Sequence, residues 1–359
     1  MSSKASHGSH FTRAILLWFQ AHKRPLPWRK TRDPYKIWVS EIMLQQTTVG
    51  AVIPCYEKWL KLYPNIKSLA RAPLQKVLKA WQGLGYYQRA RNLHRSAKIL
   101  SQKYGEKFPG RYEELKALPG FGSYTTAAVL SIVFDQPYPV IDANVRRVLM
   151  RIYRIRGEAD ADHDKILLER LRPHFPKKHA GTFNQALMEL GALICKPRNP
   201  LCLLCPVQTF CKAFKRGEQE VIPRPKKRAS HKIEAVVAII RRDGKVLLQK
   251  RPSTGLLAGL WEFPGGKKKS GESLKTALAR EMREELGAEL GQARFLMKVR
   301  HSYTQFDVTL HAYEGTLQSE PRLKKNSHRW VGLRSLQNYP FPSGSAKIVN
   351  ALQERQGSK

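Results

Sequence analysis

Four cysteines lie within seventeen residues in the segment CKPRNPLCLLCPVQTFC, with the spacing C-x6-C-x2-C-x5-C. They are Cys195, Cys202, Cys205 and Cys211. Thiolates gathered in one short loop are ligands for a soft metal centre, and both zinc and a 4Fe–4S cluster fit four such ligands. Structural zinc usually uses two C-x2-C pairs, whereas this segment has one, which favours the iron–sulfur cluster. Cys55 lies alone in an apolar segment and is predicted to be a buried free thiol.

Carboxylates are concentrated in the segment GGKKKSGESLKTALAREMREELGA, although the whole chain carries 64 Lys+Arg against 28 Asp+Glu. Glu281, Glu284 and Glu285 are spaced i, i+3 and i+4, so on a helix they project from one face and could bind a Mg²⁺ ion that bridges a diphosphate. The opposite face is apolar and is predicted to pack inward: Leu274, Leu278, Met282 and Leu286. The stretch from Gly266 to Ala288 satisfies the complete Nudix pattern. The segment LWEFPGGK (Leu260–Lys267) resembles MutT, the pyrophosphatase for oxidised dGTP.

A tight turn precedes an apolar helical pattern in the segment ALPGFGSYTTAAVL. Gly120 and Gly122 flank one hydrophobic residue there, and such a turn at a helix N-terminus presents backbone N–H groups to an anion such as a DNA phosphate. The turn could also simply join two helices. Twenty residues on, Asp142 in VIDANVRRVLMR also suits the N-cap of a helix that begins at Ala143. Together the two segments resemble the helix-hairpin-helix DNA glycosylase superfamily, in which an Asp follows the hairpin at this distance.

Further segments resemble one branch of that superfamily, the MutY-type adenine DNA glycosylases. Bifunctional relatives such as endonuclease III carry a Lys nucleophile in the hairpin. Tyr124 stands at that position here, which implies a monofunctional enzyme that uses water. WVSEIMLQQTTVGAVIP looks like the MutY signature, with Glu41 at the acid position. GLGYYQRARNLH, residues 83–94, is also closely similar, and the resemblance covers nearly all of residues 11–214.

The resemblance implies a reaction related to glycoside cleavage, in which the leaving base is protonated and an oxocarbenium-like sugar is stabilised. Glu41 is flanked by apolar residues and would keep its proton near neutral pH, because burial raises the pKa of a carboxyl group. Asp142 would stay ionised beside a helix N-terminus and stabilise the cationic sugar. Tyr124 and Asn144 would position the sugar and Asp142. By local sequence alone, Glu41 could instead be a carboxylate near a helix N-terminus after Ser40.

The target adenine must leave the base stack to reach these groups. By resemblance, Gln45, Gln46 and Thr47 lie in the helix that meets the opposite strand. Gln45 and Tyr86 are the candidates to fill the gap, with Tyr86 contacting the opposite strand. Tyr87 is predicted to be a core aromatic. Three residues match family positions around the extruded adenine, in segments that could also serve only for packing: Arg24, Trp28 and Gln185.

The C-terminal third departs from its family in one respect. MutY proteins normally carry a Nudix-like domain whose acidic box is degraded and which recognises 8-oxoguanine opposite the adenine, whereas the box here is intact. The loop of residues 301–305 would touch the lesion, but Thr304 and Gln305 stand where the family usually has Ser and His. Recognition is the main role that we expect. Hydrolysis of a nucleoside triphosphate such as 8-oxo-dGTP, with Mg²⁺ at the box, stays open as an additional activity.

The formal net charge of +36 is the strongest feature of the composition. An excess of Lys and Arg binds polyanions, and phosphate neutralisation dominates nucleic-acid affinity, so double-stranded DNA is the expected partner. The basic residues are spread over every segment, which argues against a membrane-surface helix. The N-terminus lacks a signal-peptide apolar region, and the apolar stretches are far shorter than the ~20 residues of a membrane span. We expect a monomeric cytoplasmic protein of bacterial type, associated with the nucleoid.

The length of 359 residues predicts more than one hydrophobic core, and the residue pattern changes along the chain. We predict a disordered tail (1–10), a mainly α helix-hairpin-helix glycosylase domain with the cysteine loop (11–214), a linker (215–232), an α/β Nudix-like domain (233–352) and a C-terminal tail (353–359). Helical periodicity divided by Pro and Gly supports the first domain. IEAVVAIIRRDGKVLLQKR supports the second, because it predicts a β-hairpin around Asp243-Gly244.

The predicted function is base-excision repair by a monofunctional DNA glycosylase that hydrolyses the N-glycosidic bond of adenine mispaired with 8-oxoguanine or guanine. A thymine or oxidised-pyrimidine glycosylase is the alternative within the same class. Tyr124, the QQT helix and the attached Nudix-like domain argue against it. A non-catalytic lesion-binding module is the alternative from another class.

Overall fold

The structure of the chain is a computed structural model that describes residues 2–225, 231–303 and 306–357. These residues fall into two compact units. The helical unit contains Met1–Ala70 and Arg95–Lys227, and the mixed unit contains Arg71–His94 and Arg228–Lys359. A fold with more than one domain, as predicted from the sequence, is confirmed. Residues 226–230 of the predicted linker lie outside the described residues.

The chain before the linker is built from helices. In chain order they are α1 (Ser2–His22), α2 (Pro34–Leu44), α3 (Val49–Leu62), α4 (Ile66–Arg71), α5 (Leu74–Ala80), α6 (Gln88–Lys103), α7 (Tyr112–Lys116), α8 (Ser123–Phe134), α9 (Ala143–Tyr153), α10 (Asp164–Leu171) and α11 (Ala180–Leu193). The cysteine segment follows α11 as a loop with short 3-10 turns at Cys202–Leu204 and Gln208–Phe210. In the described part of the chain, no helix has the length and apolar character that crossing a membrane requires.

Helix α1 begins at Ser2 and therefore includes Ser2 to His10, the segment for which the sequence predicts a disordered tail. The polar composition of that segment indicated disorder. The segment contains no proline, however, and it continues the helix that Phe11 and Ile15 anchor in the core.

The core of the helical unit lies between α1, α9 and α11. Val145, Val148 and Ile152 follow the i, i+3, i+7 spacing of an amphipathic helix, and each is buried. Phe183 and Leu187 of α11 pack into the same cluster. This packing fixes the N-terminus of α9, where the candidate aspartate lies.

The mixed unit contains one sheet and helices on both of its faces. Its strands are β1 (His231–Arg242), β2 (Lys245–Lys250), β3 (Trp261–Glu262), β4 (Gly265–Lys267), β5 (Leu290–Tyr303), β6 (Phe306–Leu317) and β7 (His328–Gly332), and its later helices are α12 (Leu274–Leu286) and α13 (Ser343–Gly357). The strand order is β3-β2-β1-β6-β5, with β4 paired to β1 and β7 paired to β2. Strands β1 and β6 run parallel, and β1 and β2 form the predicted hairpin, with Asp243 and Gly244 at positive φ.

Two apolar clusters cover opposite faces of this sheet. Leu278, Met282 and Leu286 of α12 are buried in one cluster with β1, so the predicted inward face of the acidic helix is confirmed. Ile348 and Leu352 of α13 are buried in the other. Because α12 is held through its apolar face, its carboxylates lie toward β4 and the surface.

The segment Arg71–His94 groups with the mixed unit, whereas the sequence pattern predicts it inside the 11–214 domain. Hydrogen bonds explain the difference. Tyr87 donates its hydroxyl to the carbonyl of Phe341 at 3.0 Å, and the Phe341 N–H donates to Gln82 at 3.3 Å. The indole of Trp261 donates to Gln75 at 3.1 Å. Tyr87 is buried, as predicted for a core aromatic.

Candidate active site

Glu41 is a buried carboxyl group in α2 of the helical unit. The helix begins at Pro34 and is capped by the side chain of Asp33, and almost every residue after the first turn is buried. The Glu41 side chain is itself only 5% exposed. Burial, together with the smaller effect of the Asp142 charge, raises the pKa of Glu41 to about 7, although the hydrogen bond from Tyr124 opposes the shift. A large fraction of the carboxyl groups is therefore protonated at neutral pH.

Tyr124 contacts Glu41 directly, although the two residues are 83 positions apart in the chain. Its hydroxyl donates to Oε2 of Glu41 at 2.9 Å and lies 3.8 Å from Sδ of Met188. Burial raises the pKa of Tyr124 well above its ordinary value, and the charge of Glu41 adds to the shift. The phenol stays protonated and acts as a hydrogen-bond donor.

Asp142 caps α9, as the local sequence predicts. Its Oδ1 accepts from the backbone N–H of Val145 at 2.7 Å, and its Oδ2 accepts from Nδ2 of Asn144 at 3.4 Å. Burial raises the pKa of Asp142, and the donors on Val145 and Asn144 oppose that shift. The N-terminus of α9 therefore holds the Asp142 carboxylate in place, and the positive ends of its N–H dipoles stabilise the negative charge.

Arg147 orients Asn144, and sequence reasoning missed it. Its Nη2 donates to Oδ1 of Asn144 at 2.9 Å and to the carbonyl of Gly191 at 2.8 Å, and its Nε donates to the carbonyl of Cys195 at 2.8 Å. With Oδ1 engaged, the amide of Asn144 turns Nδ2 toward Asp142. A side chain at Gly191 would collide with Asn144, since a Cβ there would lie 2.6 Å from the Asn144 Cβ.

A second buried carboxylate, Glu189, also escaped the sequence reasoning. Arg24 donates to it from Nε at 2.8 Å and from Nη2 at 2.7 Å, and Arg29 donates two bonds at 2.9 Å. Burial alone would raise the pKa of Glu189, but these hydrogen bonds lower it to about 2. A carboxylate in the apolar helix FNQALMELG was the available signal, because such a group is rarely buried without a partner.

The other residues expected around the adenine occupy nearby elements. Trp28 is buried and packs edge-on against Tyr56, with ring centroids 5.5 Å apart. Gln185 is half-buried on α11, one helical turn before Glu189. Arg24 is held by Glu189.

The predicted hairpin is a tight turn with exposed glycines. Leu118 and Phe121 are buried, and Phe121 stacks on Trp38 at 5.4 Å. Gly120 has a φ of +83°, which the turn requires. Gly122 has an ordinary φ of −76° and caps α8, with nothing within 4 Å of a Cβ built on it. Open space therefore lies in front of the backbone at this helix N-terminus.

The C-terminal end of α2 carries the three residues of the QQT motif. Gln45 donates from Nε2 to Thr125 of α8 at 3.0 Å, so it is tied to the hairpin helix. Gln46 is exposed and has a φ of 54°. Thr47 donates its hydroxyl to the carbonyl of Gln45 at 3.2 Å. The motif is a non-helical turn at the surface of the helical unit, so the prediction that these residues lie in the helix is wrong, because α2 ends at Leu44.

All four clustered cysteines line a single cavity with apolar walls. Nη1 of Arg151 lies 3.3 Å from Sγ of Cys195, and the same guanidinium donates to the carbonyls of Ile222 and Lys196 at 2.6 Å. Across the described residues, no three or more His, Cys, Asp or Glu side chains form a group that could hold a metal ion. The buried guanidinium of Arg151 would offset the negative charge of thiolates that hold a metal cluster in this cavity.

The acidic box of the mixed unit is held together by Arg280. This guanidinium donates to Glu272 at 2.7 Å, to Glu281 at 2.7 Å and to Glu284 at 2.9 Å. Ion pairs therefore engage two of the three carboxylates expected to bind Mg²⁺.

Glu285, the third of these carboxylates, is held by donors on β4 and β2. It accepts from the backbone N–H of Gly265 and from Gln249, both at 2.8 Å. Burial raises its pKa to about 7. The side chains as placed do not fit a divalent cation, so no chemical step is assigned to one.

A cleft of about 240 Å³ lies elsewhere in the mixed unit. Its walls are Gly83, Leu84, Gly85, Tyr86, Tyr87, Leu257, His301, Ser302, Pro342 and Ser343. Tyr86, the expected contact to the opposite strand, thus shares a cleft with two residues of the predicted lesion loop. Thr304 and Gln305 lie outside the described residues.

Family models match three parts of the chain. Residues 39–173 match the HhH-GPD superfamily base excision DNA repair proteins, residues 195–211 match the iron–sulfur binding domain of endonuclease III, and residues 235–351 match the NUDIX domain. The fold and the site therefore define a DNA glycosylase of the helix-hairpin-helix superfamily, with an iron–sulfur cluster and a Nudix domain.

Related proteins narrow the class. An adenine DNA glycosylase of Buchnera aphidicola subsp. Baizongia pistaciae is 40% identical over 71% of this chain and 73% of its own length. The adenine DNA glycosylase of Rattus norvegicus is 32% identical over 96% of this chain and 78% of its own length. The structure of a thermostable thymine-DNA glycosylase is 31% identical, covers 58% of this chain and 97% of its own, and has a TM-score of 0.53. The chain belongs to the adenine DNA glycosylase family, which confirms the predicted class of enzyme and its action on DNA.

Proposed function

We propose that this glycosylase excises adenine that stands opposite 8-oxoguanine or guanine in double-stranded DNA, with Glu41 as the general acid. The observation that carries the proposal is the buried Glu41 carboxyl, whose pKa is raised to about 7 and which Tyr124 holds in place. An acid is needed there because adenine is a poor leaving group unless one of its ring nitrogens is protonated.

The bond changes follow from the two carboxyl groups. The Glu41 proton moves to a ring nitrogen of adenine as the C1′–N bond breaks, so the base leaves neutral. Asp142, as the carboxylate, stabilises the oxocarbenium-like sugar that remains. Water then bonds to C1′ and its proton returns to Glu41. Tyr124 orients the acid, and Asn144 orients Asp142. Because water is the nucleophile, the reaction forms no imine with the protein and is monofunctional.

We assign the surrounding residues from the family resemblance and from the contacts of their side chains. Glu189 stays anionic between Arg24 and Arg29 at one side of the site, and we assign these groups, with Trp28 and Gln185, to the extruded adenine. Exposed backbone around Gly120 and Gly122 suits a DNA phosphate. The QQT turn and Tyr86 are assigned to the opposite strand: Gln45, Gln46, Thr47 and Tyr86.

The cysteine loop is assigned a 4Fe–4S cluster, for which four thiolates at this spacing are the ligands. Such a cluster would supply a rigid fixed point for the loop. Lys196 and Arg198, inside the first stretch of the loop, would then face phosphates with little loss of conformational freedom.

The first test is a panel of labelled duplexes with A:8-oxoguanine, A:G or T:G mispairs. We expect base release from A:8-oxoguanine, slower release from A:G, and no thymine release from T:G. Borohydride should trap no covalent complex, because Tyr124 cannot form an imine. Thymine release at a comparable rate, or a trapped imine, would contradict the proposal.

For the mixed unit we propose lesion recognition as the role, with the acidic box as a structural element. Two sets of contacts support the structural role of the box. The bonds of Glu285 to Gly265 and Gln249 tie α12 to β4 and β2. Arg280 pairs with Glu281 and Glu284 of α12 and with Glu272 in the segment before it. Binding of free nucleotide would require several of these contacts to open.

The second test asks whether the box hydrolyses nucleotides. With 8-oxo-dGTP and Mg²⁺, the wild type should release no more pyrophosphate than the Glu284→Gln/Glu285→Gln variant. Adenine excision by the same preparation serves as the control for active protein. Pyrophosphate release that disappears in the variant would show that the intact box is a second catalytic site.

A further inference from the structure

The loop that carries Tyr86 has an unusual backbone. Gly83, Gly85 and Tyr86 all have positive φ, at 104°, 68° and 46°. Glycine adopts this region freely, but a tyrosine does not, so the conformation of Tyr86 must be imposed by its surroundings. The nearby contacts identify what imposes it.

Arg89, in the first turn of α6, closes over this loop. Its guanidinium carbon lies 5.3 Å from the ring centroid of Trp81 and 5.5 Å from that of Tyr86. Its Nη2 donates to the carbonyls of Leu84 at 2.8 Å and Gly85 at 3.2 Å. A planar cation between two rings, bonded to the loop carbonyls, restrains both the backbone and the ring of Tyr86.

The loop is also fixed from its other side. The indole of Trp81 donates to the carbonyl of Gly85 at 3.0 Å. Tyr87 and Gln82, which flank the loop, are both bonded to the backbone of Phe341. Tyr86 lines the cleft together with the rest of the GLGYY segment, and these contacts hold the whole segment in place.

We propose that Arg89 is a positioning residue for Tyr86 and thereby sets how well the enzyme distinguishes 8-oxoguanine from guanine opposite the adenine. The inference rests on the proposed function, in which Tyr86 contacts the opposite strand. The two bases differ only at O8 and at the proton on N7. If the Tyr86 ring is held in one place, the opposite base has a fixed position in the cleft, and other contacts can distinguish O8 and the N7 proton. If the ring is mobile, it can accommodate both bases.

A phosphate contact is the competing role for a cation at this position. It would lower the affinity for every duplex alike and reduce the salt dependence of binding. A positioning role instead changes the ratio of excision rates between the two mispairs. The two roles therefore separate in one set of measurements.

The experiment is a double-mutant cycle with Arg89→Gln, Tyr86→Leu and the double variant. Single-turnover excision rates are measured on A:8-oxoguanine and A:G duplexes. We expect the ratio of the two rates to fall about tenfold in each single variant, and no further in the double variant, because Arg89 acts through Tyr86. The ratio of excision rates should also fall in Arg89→Lys, since an ammonium group cannot contact two rings and two carbonyls at once.

Arg95→Gln is the matched control, because Arg95 is an exposed cation on the same helix. It should leave the ratio unchanged. Three results would overturn the positioning role. Arg89→Gln could slow excision equally on both duplexes, the double variant could lose as much of the rate ratio as the two single variants together, or Arg89→Lys could keep the wild-type ratio. If Tyr86→Leu kept the wild-type ratio of excision rates, the assignment of Tyr86 to the opposite strand would be wrong. If the wild-type protein released no adenine from either duplex, the proposed function itself would be overturned.

Discussion

Replacing Glu41 by Gln should slow adenine release by about 10³-fold while leaving the affinity for DNA unchanged. General acid catalysis contributes about 10²- to 10⁴-fold, and adenine departs poorly without it. Glutamine has nearly the same shape, and its carbonyl oxygen can still accept the hydrogen bond that Tyr124 now donates to Glu41 at 2.9 Å. Single-turnover excision on A:8-oxoguanine measures the rate, and fluorescence anisotropy with the same duplex measures the affinity.

Glu57→Gln is the control for this substitution, because Glu57 is an exposed carboxylate on α3. It should excise adenine at the wild-type rate. A Glu41→Gln enzyme that stays within about tenfold of wild type would place the acid elsewhere. Unchanged behaviour would also revive the interpretation as a non-catalytic lesion-binding module.

The excision rate should fall as the pH rises above neutrality. The reactive form of Glu41 is the protonated form, and burial raises its pKa to about 7. Below that pH the carboxyl is mostly protonated and the rate is near its maximum. Above it the protonated fraction falls about tenfold per pH unit, which brings the rate down by roughly two orders of magnitude near pH 9. Single-turnover rates across this range give the midpoint.

Tyr124→Phe provides a directional check on the same profile. The hydrogen bond from Tyr124 lowers the pKa of Glu41, because it favours the ionised form. Its removal should therefore move the midpoint to higher pH. If the excision rate rose with pH through neutrality, the reactive form of Glu41 would be the ionised carboxylate and not the protonated acid.

Two buried carboxyl groups of the helical unit show how surroundings assign a role. Both Glu41 and Glu189 are almost completely buried. Glu41 has a neutral hydroxyl as its donor, and its pKa is raised to about 7. Glu189 has the guanidinium groups of Arg24 and Arg29, and its pKa is lowered to about 2. One side chain can deliver a proton near neutral pH, and the other stays a fixed anion.

Local features of the fold could be predicted because short-range geometry decides them. A two-residue Asp243-Gly244 turn favours positive φ at both positions, and both residues adopt it. The apolar face of α12 and the cap at Asp142 follow in the same way from helical spacing and capping chemistry. The spacing of the cysteines predicted a metal-binding loop and favoured an iron–sulfur cluster over zinc. In each case the signal and the structure lie within about twenty residues of each other.

Contacts between distant parts of the chain were decided by packing. Nothing in the spacing of Arg147 shows that it meets Gly191 and the cysteine loop, and nothing near Glu189 shows its two arginines. The grouping of Arg71–His94 with the mixed unit likewise depends on its hydrogen bonds to residues far along the sequence.

The amino-acid sequence by itself thus determined the family and predicted the cysteine ligands and the pair Glu41 and Asp142, because motifs at fixed spacing carry those features. Only the tertiary structure decided how buried each carboxyl is, which cation neutralises it, and that Arg280 closes the acidic box. The physical reason is that pKa and pairing depend on the groups within a few ångströms in space, and those groups come from elements far apart in the chain.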